Sequence, residues 1–293
     1  MFKANYHTHT RFCDGQNTAE EVAAFAAEHK FTHLGFSGHM DPDIHMDFPS
    51  YIAEITRLKS IYGRTSAEPE KPDILTGVEL DILYEKLRRP ESALPDQESI
   101  LSSVEYVIGS THFLDIESAA PMSVDSDPES IRFICEQFYS GDYYRMSKAY
   151  YDLESQVADR LHCTFIGHFD LITRFNDDLH FLDENDPRYL TPALEAMEHL
   201  VKKGVPFEIN CGAVNRGRKK ELYPSFPLLR ALHEFGGEII ISSDAHQKEL
   251  LTGAFETAKE AAAACGFTHT NILEHDPSGK VVWKQIPLDA LEY

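Results

Sequence analysis

Short apolar runs alternate with helix-like stretches along this whole chain, and that alternation is the signature of a mainly parallel α/β architecture. The strand candidates are Lys3 to His7, His33 to Ser37, Ile74 to Leu80, Tyr106 to Ser110, Thr164 to Gly167, Pro206 to Asn210 and Glu238 to Ser242. Between them, Thr18 to His29 reads as a helix opened by a Thr18 cap with Glu21 three residues later, and Thr191 to Lys203 as another ending at Gly204. Tyr51 to Ile61, Asp142 to Leu161, Pro224 to Phe235 and Gly253 to Cys265 complete the pattern. No Pro/Gly/Ser-rich linker and no repeat of fixed period interrupts it, so the 293 residues predict one barrel, residues 1–293, rather than two domains. Tyr84 to Gln97 and Asp115 to Ser130 fit the pattern poorly and read as excursions over the barrel mouth.

The balance of 27 Lys+Arg against 48 Asp+Glu gives a formal charge of −21, a field that repels nucleic acid and anionic lipid faces. Such a chain can still take a small phosphorylated substrate if metal ions or a few arginines invert the charge inside one pocket. The five cysteines stand singly, with no C-x-x-C pair, which fits a reducing compartment. The segment MFKANYHTHT is polar from the outset, and no run reaches the roughly 18 apolar residues of a membrane span. The expectation is a soluble, cytoplasmic protein with no nucleic-acid or membrane partner. Its oligomeric state is open.

A barrel gathers the last residue of every strand around one point, and here those ends carry metal-ligand residue types. His7, His9 and Asp14 follow the first strand candidate, His39 the second, Glu79 lies at the third, His112 follows the fourth, His168 the fifth, and Asp244 and His246 the last. Any one of them alone reads as an ordinary hydrogen-bonded residue, but their recurrence at six strand ends points to a polynuclear metal site. His7 and His9 are two apart, so on an extended chain they project from the same face while Thr8 points to the other. The same logic reaches Asp244 and His246 if the chain stays extended past Ile239, Ile240 and Ile241. Imidazoles with a few carboxylates suit Zn, Mn or Fe, whereas Mg or Ca favours oxygen ligands.

Two or three divalent ions could share this set, with Glu79 bridging two of them. Adjacent metals acidify a shared water and clamp a phosphoryl group, so the expected chemistry is hydrolytic. Arg174, six residues after His168, and Arg216 and Arg218, after Asn210, lie just past strand ends on the same rim. Guanidinium groups placed there are natural bidentate clamps for phosphate. The sequence holds no G-x-x-x-x-G-K-[ST] or G-x-G-x-x-G phosphate cradle and no G-x-S-x-G elbow. Cys13, near the ligands, reads as inert packing rather than a nucleophile.

The segments HTHTRFCDG, SGHMD, GVELD, GSTHFLD, GHFDLITRF, EINCGAVNRG and SSDAH, in this order, resemble the polymerase and histidinol phosphatase (PHP) family. SVDSDPES, YSGDYYRMSKAYY and ELYPSFPLL are similar to its monofunctional histidinol-phosphatase branch. The resemblance implies a distorted seven-stranded TIM-like (β/α)7 barrel with a three-metal centre. It places His7, His9, Glu79 and Asp244 on one ion, Glu79, His112 and His168 on a second, and Asp14, His39 and His246 on a third. Arg174 and Arg216 match positions expected to grip phosphate. The implied reaction is hydrolysis of L-histidinol phosphate to L-histidinol and phosphate in histidine biosynthesis. Asp244 is the candidate for shuttling a proton from the attacking water, with His246 the alternative. Two other readings stand beside it: a phosphoesterase for another small ester or nucleotide, and a metal-dependent binding or regulatory protein without turnover.

Overall fold

The structure, a computed structural model, describes residues 1–40, 46–89 and 94–293. Asp41 of the SGHMD segment and Pro90 of the 84–97 excursion lie outside the described residues. Eleven strands are found among the described residues, seven of them at the seven expected places: β1 (Ala4–Asn5), β2 (His33–Met40), β3 (Asp73–Asp81), β4 (Tyr106–Ser110), β5 (Phe113–Leu114), β6 (Met122–Ser123), β7 (Phe165–Ile166), β8 (Phe207–Asn210), β9 (Ile239–Ser242), β10 (His269–His275) and β11 (Val281–Pro287). One parallel sheet runs β1-β2-β3-β4-β7-β8-β9. A parallel bridge between Thr8 and Ala245 brings its two edges together. His9 N donates to Ala245 O at 2.8 Å and Ala245 N to His7 O at 3.1 Å, so the sheet closes almost completely into a barrel. β1 and β7 keep only two residues each in regular pairing, which is where the barrel departs from an even cylinder.

The parallel strands read as nearly continuous apolar runs because helices cover the outside while side chains fill the inside. Tyr106 spans that interior, its hydroxyl donating to Tyr6 O at 2.5 Å and Phe36 O at 2.9 Å. Gly77 on β3 makes room for the ring, since a Cβ there would lie 2.6 Å from Tyr106 Cε2. Register then sets the level of the functional residues: pairing of β2 with β3 puts His39 opposite Glu79, and pairing of β3 with β4 puts Asp81 opposite Ser110.

The helices follow their local signals. Thr18 and Glu21 form a reciprocal capping box at the start of the helix Ala19–Glu28, with Glu21 N donating to Thr18 Oγ1 at 3.2 Å and Thr18 N to Glu21 Oε2 at 2.7 Å. The helix expected from Thr191 begins earlier, at Pro187, because Asp186 caps it and proline at the first helical position has no N–H to waste. The single helix expected over 142–161 is two, Tyr143–Glu154 and Val157–Leu161. Ser155 Oγ and Gln156 Nε2 both donate to Asp152 O, at 3.0 and 2.6 Å, and compete with the backbone there. The 115–130 excursion holds β6, which pairs antiparallel with β5 just ahead of it, and the start of the helix Pro128–Phe138. The hairpin β10–β11 was not anticipated. It seals the barrel floor, where Tyr6 Oη donates to Leu273 O at 2.7 Å and His275 Nδ1 meets Asp73 Oδ1 at 2.6 Å.

Candidate metal centre

The strand ends converge on Glu79, 1% exposed at the C-terminal end of β3. Its two oxygens face different partners. Oε2 lies 3.0 Å from His7 Nε2, 3.5 Å from His9 Nε2 and 3.0 Å from His39 Nδ1. Oε1 lies 2.8 Å from His168 Nε2 and 3.1 Å from His112 Nε2, and accepts from Ser110 Oγ at 2.7 Å. Asp244 Oδ1 sits 3.1 Å from His9 Nε2 and 3.8 Å from His7 Nε2. On the other side of His9, Asp14 Oδ2 is 3.0 Å from His246 Nε2, and Asp14 Oδ1 is 3.8 Å from His39 Nε2. All nine residues singled out from the sequence meet at this one mouth. The backbone reaches that geometry differently from expectation at Asp244, whose φ of 47° is left-handed rather than extended. That conformation costs a non-glycine residue energy and is found where function over-determines the backbone. It turns Asp244 and His246 toward each other, with His246 Nδ1 3.5 Å from Asp244 Oδ1.

The donor set suits divalent cations. Potential ligand atoms of His9, Asp14, His39 and His246 lie within 4.8 Å of one another, as do those of His7, His9 and Glu79, and those of His39, Glu79 and His112. His9 Nε2 is buried without a hydrogen-bond partner although two carboxylates stand beside it. Burial and the neighbouring His39 and His246 push His9 down to about 3, so it presents a neutral ring and a free lone pair, the form that binds metal. Burial alone would raise the Glu79 carboxyl, but the surrounding His39, His7 and His112 hold it well below the usual range. Asp244 is likewise held low against its burial, by Arg216 and His7. Both carboxylates are therefore charged and ready to ligate.

Two acids that the sequence reading passed over hold the imidazoles in place. Glu208, buried on β8, takes His7 Nδ1 at 2.9 Å, leaving Nε2 turned toward Glu79, and accepts the backbone N–H of His168 at 2.8 Å. Asp81, two residues after Glu79, accepts His112 N at 2.7 Å and lies 3.4 Å from His112 Nδ1. Such partners set which ring nitrogen is free for a metal. The available signal for both was period two: Glu208 shares a strand face with Asn210, and Asp81 with Glu79. Cys13 Sγ lies 3.6 Å from His9 Nδ1, and burial pushes its thiol up to about 12, which leaves it un-ionised and inert.

The cavity above Glu79 is lined by Arg174, Arg216 and Arg218 as well as by the acids and imidazoles. Arg216 reaches back into the site, donating from Nη1 to Asp244 O at 2.8 Å and from Nη2 to Asp244 Oδ2 at 3.1 Å. Arg174 pairs with Asp125 of the 115–130 segment. Arg218 has no acidic partner among the described residues. Arg174 Nε and Arg216 Nε are buried with no hydrogen-bond acceptor. Positive charge thus lines the same space as the acid and imidazole cluster. Among the described residues no helix is long and apolar enough to cross a membrane.

This chain is similar to known proteins in sequence and in fold. A Schizosaccharomyces pombe protein named "Probable histidinol-phosphatase" is 27% identical over 304 residues, spanning 97% of this chain and 94% of its own. A Listeria monocytogenes protein, solved as a candidate histidinol phosphatase, shares the fold with a TM-score of 0.71 at 20% identity, over 87% of this chain and 99% of that one. The histidinol phosphate phosphatase of Lactococcus lactis, solved with zinc, L-histidinol and phosphate, matches with a TM-score of 0.65 at 19% identity, over 96% and 98% of the two chains. The family model described as PHP domain matches residues 5–212, most of the barrel and seven of the nine clustered residues, from His7 to His168. This chain belongs to the PHP domain family.

Proposed function

We propose that this protein is a metal-dependent phosphomonoesterase that hydrolyses L-histidinol phosphate to L-histidinol and phosphate, a step of histidine biosynthesis. The observation that carries the reading is Glu79, shared on its two oxygens between two groups of histidines beneath a cavity lined by three arginines. The similarity to a named histidinol phosphatase over nearly the whole chain supports the choice of substrate. His7, His9, Glu79 and Asp244 would hold one ion, Glu79, His112 and His168 a second, and Asp14, His39 and His246 a third. Zn, Mn and Fe all suit such imidazole and carboxylate sets. When bound, these ions acidify water and neutralise phosphoryl charge.

The chain's own groups do the rest. Glu208 and Asp81 fix the rings of His7 and His112. Arg216 anchors Asp244, and the guanidinium groups of Arg174, Arg216 and Arg218, which line the cavity, would grip the non-bridging phosphoryl oxygens. An alkoxide leaves poorly unless protonated, and the Asp244 carboxylate would accept the proton of the attacking water and relay it to the ester oxygen. His246 is less suited, since its Nε2 meets Asp14 and its Nδ1 meets Arg216 Nη1 at 2.7 Å. Residues 1–293 would act as one cytoplasmic barrel domain on a small phosphorylated substrate.

The test is phosphate release from L-histidinol phosphate and several other monoesters, before and after chelation and readdition of Mn or Zn. The expected result is activity lost on chelation, restored by metal, with the highest kcat/KM for histidinol phosphate. Restored activity that prefers another ester would overturn the substrate, and no activity on any ester would overturn the enzymatic reading in favour of a binding protein.

A further inference from the structure

A carboxylate among phosphate-facing arginines needs a reason, because it repels the group they attract. Asp125 is such a carboxylate. It lines the cavity beside Arg174, Arg216 and Arg218, and its Oδ2 lies 2.9 Å from Arg174 Nη1. Its position is built. Val124 N donates to the carbonyl of His112 at 2.8 Å, fastening the segment to the ligand-bearing strand end. Ser123 Oγ donates to Asp125 Oδ1 at 2.9 Å and accepts from Asp125 N at 3.2 Å, which fixes the side chain. The pair is partly open to the cavity, the Arg174 and Asp125 side chains being 18% and 22% exposed. Arg174 Nε, buried and without an acceptor, shows that Asp125 satisfies only part of the guanidinium.

An arriving phosphate monoester competes for Arg174, and a purely anionic one would leave Asp125 facing a second negative group. A substrate carrying an ammonium next to its phosphate removes that conflict, since it presents both charges to the pair with the opposite polarity. We propose that Asp125 is a specificity residue that receives the substrate's ammonium by partner exchange, Arg174 passing to the phosphate as Asp125 passes to the amine. The substrate class is a phosphate ester whose primary amine sits on the carbon next to the ester-bearing carbon. L-Histidinol phosphate has this arrangement, so the inference rests on the phosphomonoesterase reading and adds the residue that selects the amine. Because the amine and the phosphate are separated by few bonds, one substrate can reach both members of an adjacent pair.

The experiment compares metal-loaded wild type, Asp125→Asn and Asp125→Ala on L-histidinol phosphate and on 3-(imidazol-4-yl)propyl phosphate, which lacks only the amine. Loss of a charge-assisted contact should lower kcat/KM for histidinol phosphate about ten- to hundredfold, chiefly through KM. The amine-free ester should react as before or faster in both variants, because Arg174 is released. An equal loss on both esters would overturn the inference and reduce Asp125 to positioning Arg174, and so would unchanged kinetics on both. A wild type that hydrolyses neither ester overturns the enzymatic reading itself, and this inference with it.

Discussion

Replacing Glu208 with Gln changes one atom behind the cavity lining, and the structure says which function it should damage. Glu208 accepts from four donors: His168 N at 2.8 Å and Asn210 Nδ2 at 2.7 Å on Oε1, and His7 Nδ1 at 2.9 Å and Ser242 Oγ on Oε2. Glutamine keeps one acceptor oxygen and turns the other position into an N–H donor. The backbone N–H of His168 cannot adapt, so the oxygen must stay on that side and the amide nitrogen must face His7 and Ser242. The serine hydroxyl can rotate. A neutral His7 can respond only by accepting at Nδ1, which moves its proton to Nε2, the atom that faces Glu79 and that the proposed metal site uses as a lone pair. One lost charge-assisted bond costs about 1.5–3 kcal/mol. With an unfolding entropy of about 2 cal/mol/K per residue, this lowers Tm by roughly 2–5 °C in a chain of this size. The metal effect is larger in proportion, about ten- to hundredfold in affinity, as expected for a group that orients a ligand. Calorimetry of the metal-free protein measures the first, and phosphate release titrated against free Zn measures the second. A variant with the lowered Tm but a metal midpoint within about twofold of wild type would refute the tautomer argument.

Asp244→Asn should reduce turnover by about two orders of magnitude or more while leaving the fold intact, because the proposed metal ligand weakens and the proposed proton acceptor is removed; unchanged kcat would exclude that role. Gly212→Ala should impair the same group from behind, since a Cβ at 212 would stand 2.8 Å from Asp244 Cγ, and activity should fall more than stability. At the barrel floor, hydrogen bonds to Asp73 and Glu105 raise His275 to about 9 from an ordinary value of 6.5. The charged form is therefore favoured by folding. Its contribution, of order 3 kcal/mol at most, is complete below about pH 6.5 and is lost as pH rises through about 9. The Tm difference between wild type and His275→Asn should thus be large at pH 6 and small at pH 10, and a difference that does not shrink would show that His275 acts by packing alone.

Much of the site was legible because the residues that carry it sit at strand ends, and a parallel barrel collects strand ends whatever its other details. The alternation of strands and helices placed seven strands, and the spacing of His7 and His9 needed no tertiary information to put both rings on one face. Residue type alone marked Glu79, His112 and His168. The roles of Glu208, Asp81 and Asp125 were not legible, because an acid on a strand or loop takes its meaning from what lies across the barrel. Glu208 meets His7 over a separation of 201 residues. The turn that faces Asp244 toward His246 is likewise a left-handed backbone residue that no local pattern announced, and the hairpin β10–β11 owes its place to Tyr6 and Asp73 on the barrel floor. Local sequence was enough to say which elements form and which acid and imidazole residues reach the mouth, since both depend on neighbours a few residues away. Which nitrogen each imidazole presents, which carboxylate holds it and which arginines line the cavity came from the folded chain, since those depend on register between strands far apart in the sequence.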